Sequence, residues 1–300
     1  MSDNDNNSDN GIHSDSDNHL AHSQDDEHVY LSLAEGHDDG SDARWAFGTG
    51  FEDPLYGVDT TVPEGVDAGE LAATCVELAD DALVSAQRLA EWCTRAPELE
   101  EEVALANIGL DLLGQARLLY ARAGQVDGTG RDEDAYAYLR DADDFRNVRL
   151  AELPNGDFAF SIVRLLVLSS WRLAHFERLA AHRDPVLAAI AAKGVKELTY
   201  HRQYAAEWAV RLGDGTDESH RRTRTALDEV APRLGELFTA YDVRGEVVEV
   251  LRQVTAATGL PMPHVAPTQG TGRDGQHTEH LAPLLAELQS VARAHPEATW

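Results

Sequence analysis

From Ala68 onward, apolar side chains recur every three to four residues, and little but a helix can satisfy that spacing. The first stripe runs Ala72, Cys75, Val76, Ala79, Leu83, Ala86, Ala90, Cys93. After a break at Thr94 to Pro97, a second helix is expected over Glu98 to Arg122. Its opening glutamates, Glu98, Glu100, Glu101 and Glu102, suit the positive end of a helix dipole. Its middle, Val103 to Leu119, is apolar nearly all round and is expected to be buried. A Gly-containing turn at Asp127 to Gly130 and a short charged helical stretch lead to a break at Leu153 to Gly156. A third long helix is expected over Asp157 to Ala181. The fourth opens at Asp184, with Pro185 at the first helical position, and runs to Gly213. Its seam, Leu187, Ala191, Gly194, Leu198, His201, Ala205, Trp208, Leu212, alternates steps of four and three, as in a left-handed bundle. Two further helices (Thr216 to Leu237, Gly245 to Thr258), a Pro- and Gly-rich loop (Leu260 to Gly275) and a last helix (Thr278 to His295) complete the pattern. No stretch reads as a strand. The expectation is an all-α four-helix bundle with additional C-terminal helices.

Residues 1–66 read differently. Met1 to Asp26 consists largely of Asp, Asn, Ser and Gly. Such a segment has too little to bury to offset its ordering entropy, so an acidic, largely disordered tail is expected before a helical domain at 67–300. The tail holds five histidines, His13, His19, His22, His28 and His37, read as solvated residues rather than a chelating set. The formal charge of −28 argues against nucleic acid or an anionic membrane as partner. Lysine occurs only at Lys193 and Lys196. An acidic, lysine-poor surface is what a salt-rich cytoplasm favours, since salt screens the self-repulsion. No run reads as a signal peptide or a membrane span; the best candidate, Phe158 to Trp171, is interrupted by Arg164. A cytoplasmic location is expected. Cys75 and Cys93 form no zinc or disulfide pattern and are expected in the core.

Polar residues inside a bundle are informative, because burial costs free energy unless they are paired. The first long helix carries Asp80, Gln87 and Glu91. Asn107, Asp111 and Gln115 step by four along the second. The third carries Arg164, His175 and Glu177, and the fourth Glu197 and His201 beside Lys193, Lys196 and Tyr200. Carboxylates facing one another across four helices suggest a di-iron design, which takes a Glu from each of two helices and Glu-x-x-His from each of the other two. The spacing fails here. Three residues after Asp111 stands Gly114; three after Glu197 stands Tyr200, and His201 comes one position late. Asp111, Glu177, Glu197 and His201 are therefore read as degenerate site positions in a hydrogen-bonded network, with no metal expected. Lys193, four residues before Glu197, is a candidate cation in the place of a metal. No phosphate loop, nucleophile elbow or dinucleotide fingerprint is present. His220, Arg221 and Arg222 form a local basic patch open to an anionic ligand, an acidic partner or neighbouring carboxylates.

Four stretches resemble one family. They are EWCTRAPELEEEVALANIGLDLLGQARLLY (Glu91 to Tyr120), GRDEDAYAYLRDADDFRNVRLAELPNGDFAFSIVR (Gly130 to Arg164), KELTYHRQYAAEWAVRLGDGTDESHRR (Lys196 to Arg222) and GRDGQHTEHLAPLLAELQSVARAHPEATW (Gly272 to Trp300). They are similar to the structural subunits of phenylacetyl-CoA epoxidase, from about residue 69 to the end. The resemblance implies a ferritin-like fold and a non-catalytic chain with no cofactor of its own. It further implies a paralogous catalytic partner that holds the di-iron centre, and a reductase that passes on electrons from NADPH. The gaps at Gly114 and Tyr200 agree with that division of labour.

Overall fold

The computed structural model describes residues 55–298, and the histidine-bearing part of the tail lies outside them. Among the described residues all regular structure is helical. The elements are α1 (Ala68–Ala90), α2 (Leu99–Val126), α3 (Glu133–Tyr138), α4 (Arg149–Glu152), α5 (Phe158–Leu179), α6 (Pro185–Gly213), α7 (Asp217–Ala240), α8 (Arg244–Thr258), α9 (Leu281–Leu288) and α10 (Ser290–Ala294). The four long helices α1, α2, α5 and α6 form the bundle. α1 packs on α2, α5 on α6, and α2 meets α6. α7 and α8 lie against α5 and α6. This is the ferritin-like bundle with added C-terminal helices that the sequence leads one to expect.

Helix starts follow capping chemistry. Asp67 accepts from the Glu70 amide at 2.9 Å, Asp157 from Phe160 at 2.9 Å, and Asp184 from Leu187 at 2.8 Å. Thr216 and Ser219 form a reciprocal capping box at α7. In the α6 seam, Leu187, Ala191, Gly194, Leu198, His201 and Ala205 are buried, while Trp208 and Leu212 are only partly so. Gly194 is a close-approach position: a Cβ there would lie 2.6 Å from the Phe176 ring of α5.

Several expectations need correction. α2 is not buried all round: Val103 is 52% exposed, Leu110 64% and Leu113 42%. Cys75 is buried, but α1 ends at Ala90 and Cys93 is exposed in the turn beyond it. The last helix is broken into α9 and α10. Residues 55–66 are not unpacked tail, because Leu55, Val58, Val62 and Val66 rest on the core. Arg122 donates to the Thr60 carbonyl at 2.8 Å, pinning that segment. Finally, α5 is long and apolar enough to cross a membrane, yet 89% of its apolar window is buried inside the fold. Its apolarity is accounted for by its central place in the bundle, where Trp171 is fully buried and donates Nε1–H to the Leu237 carbonyl at 2.9 Å.

Candidate functional site

The centre of the bundle, where α1, α2, α5 and α6 converge, is the place to test for a metal. Arg172 of α5 reaches into it and is almost wholly buried. Its guanidinium donates to the Leu78 carbonyl of α1 at 3.1 Å and to Gln115 Oε1 of α2 at 2.9 Å, with Asp81 at 3.8 Å. Gln115 passes the contact on, donating Nε2–H to Glu197 Oε2 of α6 at 2.9 Å. Glu197 also accepts from Lys193. The chain of contacts is Arg172–Gln115–Glu197–Lys193, running from the middle of the bundle to its rim. Burial works to lower the Arg172 pKa and Asp81 opposes it. Lys193 does share a face with Glu197, as its spacing requires, but it lies at the rim, about one-third exposed. The deep cation is Arg172.

One turn along, His201 Nε2 and Asp111 Oδ2 meet at 2.9 Å, with the imidazole fully buried and the carboxylate partly open. With Asp111 accepting, Nε2 carries the ring proton. Glu177 lies on the exposed side of α5 and joins neither group. His175 is stacked on Tyr241 with ring centroids 3.5 Å apart. Burial, then Arg172, push its pKa down to about 3, so the ring is neutral. Beside His201 is a small space of about 20 Å³, lined by Ser85, Leu112, Arg164, Leu168 and Arg172 among others. That is room for one water molecule. Two arginines on its wall oppose a cation.

These donors do not fit a di-iron centre. Asp111 and His201 bond each other, Glu197 belongs to the separate contact with Gln115 and Lys193, and Glu177 lies on the exposed side of α5. Among the described residues, the one grouping of three or more metal-ligating side chains is Glu98, Glu100 and Glu101, at the outer start of α2.

The buried carboxylates do something else: they clamp loops to the bundle. Asp80 accepts from Tyr120 Oη at 2.5 Å and from the Arg146 amide at 2.7 Å, and pairs with Arg140. Asp81 accepts from the Val148 amide at 2.8 Å and from Arg273 at 2.6 Å. Glu236 of α7 accepts from the Gly272 amide at 2.7 Å and from Arg149 Nε at 3.0 Å. Glu152 accepts from Asn147 at 3.0 Å, from the Thr278 amide at 2.7 Å and from His277 Nδ1 at 2.6 Å. The segments held are 140–149 and 272–278. The basic patch at α7 is paired locally, Arg221 and Arg222 both with Glu218 and Arg222 also with Asp157 at 3.6 Å.

The surroundings of His277 favour its protonated form. Nδ1 faces Glu152 and Nε2 faces the Phe145 carbonyl at 2.8 Å, so both ring nitrogens must donate. Burial works to lower its pKa, but the Glu152 hydrogen bond and charge outweigh it and the net shift is upward. A raised folded pKa gives stability that is complete below the ordinary value of 6.5 and is lost as pH rises through the folded value. Thermal midpoints measured from about pH 5.5 to about pH 9 should fall over that upper range in the native chain. His277→Gln should flatten this part of the curve; an unchanged curve would show that the pair does not contribute.

Known proteins are similar to this chain. A family model described as "Phenylacetic acid catabolic protein" matches residues 59–300. Over 248 residues the chain is 42% identical to one of the subunits of the 1,2-phenylacetyl-CoA epoxidase of Escherichia coli (strain K12), covering 77% of this chain and 99% of that one.

Proposed function

The chain belongs to the phenylacetic acid catabolic protein family, and from that membership we propose that it is the structural, non-catalytic subunit of a phenylacetyl-CoA epoxidase. On this reading it pairs with a paralogous bundle that carries the di-iron centre. A separate reductase supplies electrons from NADPH for the oxygen insertion. The observation that carries the reading is the guanidinium of Arg172 at the bundle centre, bonded across α1 and α2. A buried cation there repels a metal, and of the carboxylates that a metal would need Glu197 is engaged by Lys193 and the Gln115 side chain and Asp111 by His201.

Physically, such a subunit supplies a rigid matching surface. A catalytic site must be held within a fraction of an ångström by its surroundings, and buried, hydrogen-bonded ion pairs help to fix loops in one arrangement. The test is reconstitution. The catalytic subunit and reductase should turn over phenylacetyl-CoA only when this chain is added. Asp111→Ala and Glu197→Gln, made in this chain, should leave the turnover of the folded complex unchanged. Loss of the chemical step on either substitution, with assembly intact, would instead identify this chain as a metal-binding oxygenase.

A further inference from the structure

Three buried side-chain atoms without a hydrogen-bond partner in the protein belong to residues on the wall of one cavity, the small space beside His201. They are Ser85 Oγ of α1, Arg172 Nε of α5 and His201 Nδ1 of α6. Buried polar atoms are seldom left unpaired, because each then bears its full desolvation cost. The other polar side chains on this wall are already engaged. Ser161 donates to the Asn155 carbonyl at 2.9 Å, Ser169 to the Leu166 carbonyl at 3.3 Å, and Arg164 to the Leu153 carbonyl. The rest of the wall is leucine, which offers no partner.

Size and chemistry together narrow what can serve these three atoms. The space of about 20 Å³ takes one small molecule or ion. Arg172 Nε–H is a donor only, so its partner must accept. His201 donates Nε2–H to Asp111 at 2.9 Å, which leaves a lone pair at Nδ1, so the partner there must donate. The Ser85 hydroxyl can do either. A metal ion cannot accept from a guanidinium, and a halide ion cannot donate to a bare ring nitrogen. Water does both, and about three polar partners are what a buried water ordinarily has.

We propose that the cavity beside His201 binds one ordered water molecule, which accepts from Arg172 Nε–H, donates to His201 Nδ1 and shares a hydrogen bond with Ser85 Oγ. The water joins α1, α5 and α6, and the His201–Asp111 contact extends the link to α2. The four long helices are thus tied by a neutral molecule, at a centre whose arginines, Arg164 and Arg172, oppose a cation.

A crystal structure of the full chain, grown with bromide as the salt anion, tests this. One peak should stand within about 2.7–3.2 Å of Ser85 Oγ, Arg172 Nε and His201 Nδ1, with no anomalous signal at the bromine edge. In solution, nitrogen-15 spectra of the histidine-labelled full chain at neutral pH, assigned with His201→Gln, should show Nε2 protonated and Nδ1 bare. Ser85→Ala takes away one of the water's partners but leaves the Asp111 contact, so it should move the Nδ1 resonance and leave Nε2 nearly where it was. A cavity without a peak overturns the proposal. So does an anomalous bromide peak, which would make the cavity a halide site with His201 protonated on both nitrogens. A protonated Nδ1, or an Nδ1 resonance indifferent to Ser85→Ala, overturns it as well.

Discussion

Replacing Arg273 with alanine should destabilise the folded chain by about 3–5 kcal/mol, the loss expected when one partner of a buried ion pair is removed. Arg273 comes from the 272–274 turn and lies in a groove against α1. It donates to Asp81 at 3.1 and 2.6 Å, to the Glu77 carbonyl at 3.2 Å and to Tyr241 Oη at 3.2 Å, and also to the Arg146 carbonyl. Its charge lies over the Trp171 and Tyr241 rings. Burial works against its charge, but Asp81 and then Tyr241 outweigh it, so its pKa is raised. Asp81 is 1% exposed. Without the guanidinium, Asp81 keeps the Val148 amide but loses its nearest cation. The C-terminal segment and the 140–149 loop should loosen together, since Arg273 touches both. Arg273→Lys should recover only part of the loss, because a point charge cannot serve two carboxylate oxygens and two carbonyls at once. Urea midpoints at fixed salt measure this, and a loss under about 1 kcal/mol for alanine would show the clamp to be dispensable.

The second large effect is expected at Asp184, which has two jobs. It caps α6 through the Leu187 amide, and it pairs with Arg122 of α2, both side chains being almost fully buried. Asp184→Ala should cost about 3–5 kcal/mol for the stranded guanidinium and about 1 kcal/mol for the cap. Asp184→Asn keeps an acceptor for the cap and removes the charge, so the difference between the two variants isolates the cap. Equal losses for both would mean that the cap contributes nothing measurable.

How much of this is legible in the sequence depends on the range of the interaction. Helix positions are local, and stripes such as Leu187, Ala191, Gly194, Leu198 fix them. The caps at Asp157 and Asp184 are local too. The Asp111–His201 contact is within reach because both residues interrupt apolar stripes. Arg172 was missed although the same rule exposes it: like Arg164, it is a charge inside the apolar run of α5. Asp81, Glu152 and Glu236 were missed for a different reason. Their partners lie far away in sequence, at Arg273, His277 and Gly272, and no periodicity announces a contact across the chain. The outward face of α2 shows a third limit. Periodicity says that Val103, Leu110 and Leu113 are apolar, but not whether this chain or another covers them.

The most direct test of the scaffold role is iron content, measured by elemental analysis on the purified full chain alone and on its complex with the catalytic subunit. The expected result is no iron above background in the chain alone, with iron in the complex only at the amount that the partner's site holds. About two irons per molecule in the isolated chain, as a di-iron bundle would carry, would contradict a metal-free centre built around Arg172.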